Sequence, residues 1–289
     1  MGSAQVVLTA LDARYPPRLR TLATPPASIV VEGGSLDAPF TVAIVGSRDA
    51  AKGATDFAGE LATALASAGA VVVSGGARGV DGAAHRAALD CGGRTWVVAG
   101  TDPEHCFPAE HDTLFRAVAG GPGAMVWPFV EPVIPRLGFP ARNRILVALA
   151  DVVVVVQAGA RSGALSAARW ARKLGKPLWV VPIPPWETNA FDGSRQLLEQ
   201  GARPLFRLAP FLQDIRVREA VAPSPVLASL NPHEIKVLSA MCNVPRHLDA
   251  ITERAHLPTH TTSAALLTLA LENVVVEGPP GFFRRRNAP

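Results

Sequence analysis

The sequence predicts an α/β fold: a doubly wound, mainly parallel sheet followed by a small C-terminal winged-helix domain. Three patterns carry that prediction. Short apolar runs without polar alternation recur with amphipathic helical stretches between them, the signature of parallel strands covered on both faces. The runs Thr41–Val45, Ala70–Val73 and Asp151–Val156 each lead into a glycine-containing loop ahead of a helix. From about Leu230 the chain reads as helix, helix, turn, helix and a two-stranded wing.

The elements follow in order. Thr41–Val45 is an apolar strand, and a helix with Phe57, Leu61 and Leu65 at four-residue spacing is closed by Gly69. Ala70–Val73 is the second strand, a helix runs from about Asp81 to Leu89, and Thr95–Ala99 is the third strand. A helix around Thr113–Val118 leads to a strand at Ala124–Trp127, and Arg142–Ala150 reads as helical. Asp151–Val156 contains five consecutive valines, too β-branched and too short for a helix. Helix 162–174, strand 178–181 and helix 193–200 complete the pattern. The Pro- and Gly-rich residues 1–40 read as a lead-in packed on the sheet rather than a domain. Residues 41–215 form the sheet domain, 216–229, with Ala222-Pro223-Ser224-Pro225, a linker, and 230–289 the winged helix.

Composition narrows the function. Of 289 residues, 48% are hydrophobic and 18% charged, which favours a large packed core over disorder. The net charge of +4 permits a polyanionic partner without demanding one, so any nucleic-acid site must come from local clustering of cations. Cys91, Cys106 and Cys242 are far apart and form no C-x-x-C pair, so neither a disulfide framework nor a zinc ribbon is indicated and a reducing, cytoplasmic setting is expected. The N-terminus lacks the basic and apolar regions of a secretory signal. The apolar run Ile145–Ala160 is broken by Asp151 and Gln157 and falls short of the roughly 20 residues a membrane span needs, so no membrane partner is expected.

In an open parallel sheet, ligands bind beyond the carboxyl ends of the strands. Three loops fall there: Gly46-Ser47-Arg48, Ser74-Gly75-Gly76-Ala77-Arg78-Gly79 and Gly159-Ala160-Arg161-Ser162-Gly163. Each precedes a helix, offering free backbone N–H groups and the positive helix pole, and each carries an arginine suited to phosphate. Glycines in any one loop also serve as plain turns; the same Gly/Ser/Arg content in three points to a phosphate-binding edge. No G-x-x-x-x-G-K-[ST] sequence occurs, the first loop is not G-x-G-x-x-G, and the second strand does not end in an acid, which disfavours ATP and NAD. No cofactor and no metal are expected. A polymer with several phosphates suits separate arginine-bearing loops better.

The segment from Arg136 to Arg144 adds an aromatic. Phe139 before Pro140 is expected to be extended, on a short connection flanked by cations. A ring beside arginines can stack a base while its backbone is held; the other reading is a core phenylalanine beside a solvated helix start. Arg142 shares the side of Ile145, Leu146 and Leu149 and suits a structural role, whereas Arg144 faces away and is the freer cation.

In order and spacing, Gly46-Ser47-Arg48, the loop from Ser74 to Asp81 with Ala84-His85, Phe139-Pro140 with Arg142-Asn143-Arg144, and Ser162-Gly163 resemble the DprA/Smf family. Gly193 with Gly201-Ala202 also fits, and the resemblance covers about Tyr15 to Phe206, with a winged helix of the kind many members carry. It implies a Rossmann-like domain that binds single-stranded DNA, catalyses no reaction, dimerises through that domain and helps load the RecA recombinase in natural transformation. The DNA contacts it implies are Gly46, Ser47, Arg48, Gly75, Arg136, Phe139, Asn143 and Ser162; Ser74, Gly76, Arg78, Arg142, Arg144 and Gly163 join them as candidates from the loops and the helix. Gly76 stands where leucine is common and Gln157 where glutamate is common, and no separate helical domain precedes the lead-in.

Other polar groups read as structural. Asp81 and His85, four apart in one helix, are placed to hydrogen-bond to each other and anchor the second loop. His105, Cys106 and His111 lack a clear fourth ligand for a metal. His233, His247, His256 and His260 are scattered surface residues. Thr261–Leu271, the recognition helix of the winged unit, has no Arg, Lys, Asn or Gln, so a protein-contact or auxiliary DNA module is expected rather than a sequence reader. Residues 221–289 hold six Lys/Arg against five Asp/Glu, and three of those cations are Arg284-Arg285-Arg286 on the wing. Two alternatives differ in class: a nucleotide-processing enzyme of the lysine-decarboxylase-like group, whose Gly-Gly-x-Gly-Thr loop is absent here, and a transcription regulator built on the winged helix.

Overall fold

The structure, a computed structural model, describes residues 4–129, 135–182, 189–215, 230–241, 244–272 and 274–285, with only the backbone of residues 135–137 and 189. The expected linker 216–229 and Arg286 lie outside the described residues, as does the side chain of Arg136.

Nine strands form one sheet: β1 (Gln5–Thr9), β2 (Ser28–Gly33), β3 (Thr41–Val45), β4 (Val71–Ser74), β5 (Thr95–Val98), β6 (Ala124–Trp127), β7 (Val152–Val155), β8 (Leu178–Val180) and β9 (Arg203–Pro204). Their spatial order is β1-β2-β6-β5-β4-β3-β7-β8-β9. The strands from β6 to β9 are parallel, and β1 and β2 join antiparallel at the β6 edge, with Val31 opposite Val126. The chain winds outward from β3 through β4, β5 and β6, then returns to β7 beside β3 and winds the other way. The switch point therefore lies between β3 and β7.

Successive strand residues serve opposite faces, and both faces are buried. Ala43, Val45, Val71, Val73, Val153 and Val155 join one core with the helices α5 (Pro135–Leu149) and α6 (Ala164–Lys173). Val42, Ile44, Val72, Val152 and Val154 join the other, with α2 (Lys52–Ser67) and α3 (Val80–Asp90). The helix α4 (Asp112–Gly120) covers β5 and β6 on that second side through Leu114, Phe115 and Val118.

The lead-in is more regular than its composition suggests. Residues 4–40 contribute two strands to the sheet and the single-turn helix α1 (Pro17–Arg20). Tyr15 is buried and donates its hydroxyl to the Pro26 carbonyl at 2.8 Å, and Arg18 grips Asp151 through Nε at 3.2 Å and Nη2 at 2.8 Å. Beyond α7 (Asp192–Glu199), the helix α8 (Leu208–Asp214) occupies residues for which the sequence pattern predicted no element. Phe211 meets Trp179 edge-on at 5.1 Å between ring centroids, a tertiary contact with no local signature.

The C-terminal unit consists of α9 (Pro232–Ala240), β10 (Arg246–His247), α10 (Leu248–Ala255), α11 (Thr259–Leu271), β11 (Val275–Glu277) and β12 (Phe282–Arg285). The three strands pair as β10-β12-β11. Asn231 and Glu234 close a reciprocal capping box on α9, and Val237, Met241, Ile251, Leu266 and Leu269 fill a separate core. This is a winged helix. His233, His247, His256 and His260 are all exposed on it.

Candidate nucleic-acid interface

The carboxyl ends of β3 and β7 open onto a cleft of about 600 Å³ at the switch point. The loop after β3 contributes Gly46, Ser47, Arg48 and Asp49, and the loop after β7 contributes Gly159, Arg161, Ser162 and Gly163. The third wall is α5, through Phe139, Pro140, Arg142, Asn143 and Leu146. Two of the three glycine loops singled out in the sequence thus converge with the aromatic segment.

The second loop has a different role. Asp81, in the first turn of α3, is buried, and its carboxylate accepts from the Gly75 N–H at 3.2 Å and the Ala77 N–H at 3.3 Å. The amides that could have met a phosphate are occupied by the chain's own anion. Ser74 is fully buried with its hydroxyl donated to the Ile44 carbonyl at 2.5 Å, and Gly76 packs against Val97 and Phe115. Arg78 reaches Glu110 at 3.4 Å and does not line the cleft. Ser74, Gly75, Gly76 and Arg78 therefore support the cleft from below or beside it, with only Ala77 of that loop in its wall. A further bond, from the Val80 N–H to the Ser47 carbonyl at 3.2 Å, ties the two loops together.

Arg142 and Arg144 have different partners, and only Arg142 takes the role its helical position suggested. Arg142 is buried and donates to the Val98 carbonyl at 2.7 Å; a Cβ on residue 75 would lie 1.9 Å from its Nη1, so only glycine leaves room for the guanidinium. Burial lowers the Arg142 pKa to about 10, opposed by the Asp81 carboxylate and reinforced by Arg48. Burial likewise raises the Asp81 pKa, opposed by Arg142 and by the hydrogen bonds it accepts. The two buried charges form the floor of the cleft. Arg144, expected to be the freer cation, donates to the Thr24 carbonyl at 2.6 Å and braces the lead-in, away from the cleft lining.

Phe139 departs from the extended conformation that its proline neighbour suggests: α5 begins at Pro135 and carries Pro140 inside it. Apolar packing of the following turn at Ile145, Leu146 and Leu149 outweighs the local bias. The Phe139 ring is half-buried, 5.2 Å from the Phe107 ring centroid, with the Arg48 guanidinium 5.0 Å from its own centroid. A Cβ on residue 100 would lie 2.3 Å from Phe139 Cδ1, so Gly100 is what admits the ring. Arg48 is exposed beside it. Asn143 Nδ2 donates to the Gly163 carbonyl at 3.2 Å, joining α5 to the loop after β7, and Ser162 Oγ accepts from the Ala164 N–H at 3.2 Å. The cleft thus combines two exposed arginines, Arg48 and Arg161, with glycine-loop backbone and one partly accessible aromatic ring. That set can hold phosphate and stack a heterocycle in one place.

Arg161, Asp49 and Phe107 belong to this site and were not among the sequence candidates. Arg161 was visible as the arginine of the third loop. Asp49 and Phe107 carried no spacing signal, because one is a loop acid and the other reaches Phe139 only through the fold. The departure at Gln157 has a structural use: it is buried and accepts from the Ala51 N–H at 2.9 Å, holding the loop that leads into α2. Asp81 and His85 do not bond to each other, since His85 Nδ1 meets Thr95 Oγ1 at 2.7 Å while Asp81 serves its loop. His105 pairs with Asp102 at 2.8 Å and His111 Nδ1 bonds the Gly76 carbonyl at 2.9 Å, so the two rings are engaged separately.

Comparison with known proteins identifies the family. The family model of DNA recombination-mediator protein A matches residues 6–216, and that of the DprA winged helix domain matches residues 221–281. The chain is 43% identical over 166 residues to the putative DNA processing protein DprA of Mycobacterium tuberculosis, a match covering 57% of this chain and 42% of that relative. It therefore spans less than half of that protein's length. It is 32% identical over 285 residues to protein Smf of Escherichia coli, covering 95% of this chain and 76% of that one. The solved structure of DNA processing protein A from Helicobacter pylori, described for its single-stranded DNA binding mode, superposes with a TM-score of 0.66 at 32% identity, covering 73% of this chain and 95% of that one. With the Rossmann-like domain and the winged helix both matched, the chain belongs to the DprA/Smf family of DNA-processing proteins.

Proposed function

We propose that this protein binds single-stranded DNA in the switch-point cleft, protects it and helps load the RecA recombinase on it during natural transformation, as a cytoplasmic homodimer rather than an enzyme. The observation that carries the reading is Arg48 lying over the half-buried Phe139 ring, 5.0 Å from its centroid, at the mouth of a cleft between two glycine loops. A base takes the ring as a stacking platform, and the displaced guanidinium takes the adjoining phosphate. The solved H. pylori relative, described for its single-stranded DNA binding mode, supports the choice of ligand, and the family description as a recombination mediator supports the recombinase step. The use of Asp81 as an internal anchor, its carboxylate occupied by loop amides, favours binding over turnover of a nucleotide.

The test is equilibrium binding of a labelled oligothymidylate by the protein and by its Arg48→Ala and Phe139→Ala variants across a salt series. Phe139→Ala is expected to cost about 1–3 kcal/mol of affinity. Arg48→Ala should weaken binding for all sequences and make the log-log salt slope shallower by about 0.7. A duplex of the same length should bind more weakly, and RecA should coat the strand faster with the protein than without it. Unchanged affinity in both variants, or turnover of a nucleoside monophosphate that Asp81→Ala abolishes, would overturn the reading.

A further inference from the structure

The cleft does not end at its lip on the β7 side. Ser166, on α6, lines it. Residues three, four and seven positions further along the helix fall on the same stripe. They are Arg169, Trp170 and Lys173. Arg169 and Lys173 are exposed, and Trp170 is half-buried against the core below. Lys173 Nζ lies 4.8 Å from the Trp170 ring centroid, repeating the cation-over-aromatic arrangement of Arg48 and Phe139. The stripe runs about 10 Å from Ser166 to Lys173 at the α-helical rise.

Charge sets this face apart. Between Asp151 and Glu187 the sequence has no acidic residue and five cations: Arg161, Arg169, Arg172, Lys173 and Lys176. Cations in the last turn of α6 also suit the negative pole of the helix, and Arg172 has a fold role, bonding the Gln200 side chain and the Leu197 carbonyl. Arg169 lies outside that turn, and among the described residues no carboxylate pairs with Arg169 or Lys173.

We infer that the α6 stripe Ser166–Arg169–Trp170–Lys173 is a second single-strand contact, which receives the nucleotides leaving the cleft, phosphates on Arg169 and Lys173 and a base on Trp170. The inference rests on the cleft being the primary site. A single strand is favoured because the stripe starts inside the cleft wall and interleaves an aromatic with cations, whereas a duplex keeps its base faces stacked inside.

The experiment compares a short oligothymidylate of about 6 nucleotides with one of about 25, a range bracketing ordinary single-strand site sizes. Three proteins are used: the unchanged chain, Arg48→Ala, and Arg169→Glu with Lys173→Glu. The double variant changes only exposed side chains and should fold; Trp170→Phe, which keeps a ring in the core, is the second probe. The expected result is at least a tenfold loss on the long strand, little change on the short one, and a long-strand salt slope shallower by about 1.4 for two lost contacts. Arg48→Ala should weaken both. If the double variant leaves the long strand unaffected while Arg48→Ala weakens both lengths, the cleft stands and the stripe is refuted. If Arg48→Ala changes neither, the cleft reading fails and the continuation falls with it. Equal losses on both lengths, with an altered sedimentation coefficient, would make α6 a contact between copies and overturn the inference.

Discussion

His85 is fully enclosed, with Nδ1 on the Thr95 hydroxyl and Nε2 buried without a hydrogen-bond partner among the described residues. Because Thr95 Oγ1 also donates to the Val72 carbonyl at 2.8 Å, it accepts from His85, which fixes the proton on Nδ1. Burial lowers the His85 pKa from 6.5 to about 3, helped by the nearby His111, Arg142 and Arg86. The neutral ring is the folded form. The unfolded chain takes up the proton first as pH falls, so His85 weakens folding by roughly 1.4 kcal/mol per pH unit between 6.5 and about 3. Asp81, whose pKa is raised, and His105, whose pKa is raised by its bond to Asp102, act in the opposite direction. His85→Asn keeps both of them. Urea unfolding at about pH 7 and pH 4.5 should therefore show the unchanged protein losing more stability on acidification than the variant, and equal losses would contradict this. The different roles of Arg142 and Arg144 were legible in part: helical periodicity put one on the apolar side. What it could not supply was the Thr24 carbonyl that engages Arg144, contributed by a segment 120 residues away.

Whole elements were most legible where the pattern was continuous and buried. The valine run gave β7, and the Phe57, Leu61, Leu65 spacing gave α2, because both sheet faces and one helix stripe are filled by such residues. β1 and β2 were hidden by the prolines and glycines around them, although QVVLT and SIVVEG are β-branched runs. The start of α5 was misplaced because the local rule before proline competes with packing of Phe139 on Phe107 beside Gly100. Pro140 inside that helix removes one backbone donor. Pro140→Ala should thus stabilise the protein by about 2 kcal/mol in urea unfolding, the helix gain exceeding the entropy returned to the unfolded chain. A loss of stability would mean that the proline is required by the geometry around Phe139. The three loops looked alike in sequence; Asp81 distinguishes the second, since an acid in the first turn of α3 fills the anion site its loop would otherwise offer.

At the scale of the molecule, one topological fact organises the site. The sheet reverses its winding between β3 and β7, so the loops that follow them part and leave a cleft there, with α5 crossing its side. That edge was readable from the order of strands and glycines; the cleft's lining was not, because it depends on burying Asp81 against its own loop amides and Arg142 against the Val98 carbonyl. The winged helix carries no cation, asparagine or glutamine along 261–271, while Leu267 and Leu271 are exposed on that helix. That composition sets the winged helix apart from the arginine-bearing cleft proposed to hold the single strand. The most direct test is a crystal structure of the protein with a short oligothymidylate. The expected density has a phosphate within hydrogen-bond distance of the Gly46–Arg48 backbone, a second near Ser162 and Gly163, and a base stacked on Phe139 with Arg48 swung aside. A strand seated on the winged helix, with the cleft empty, would contradict the assignment.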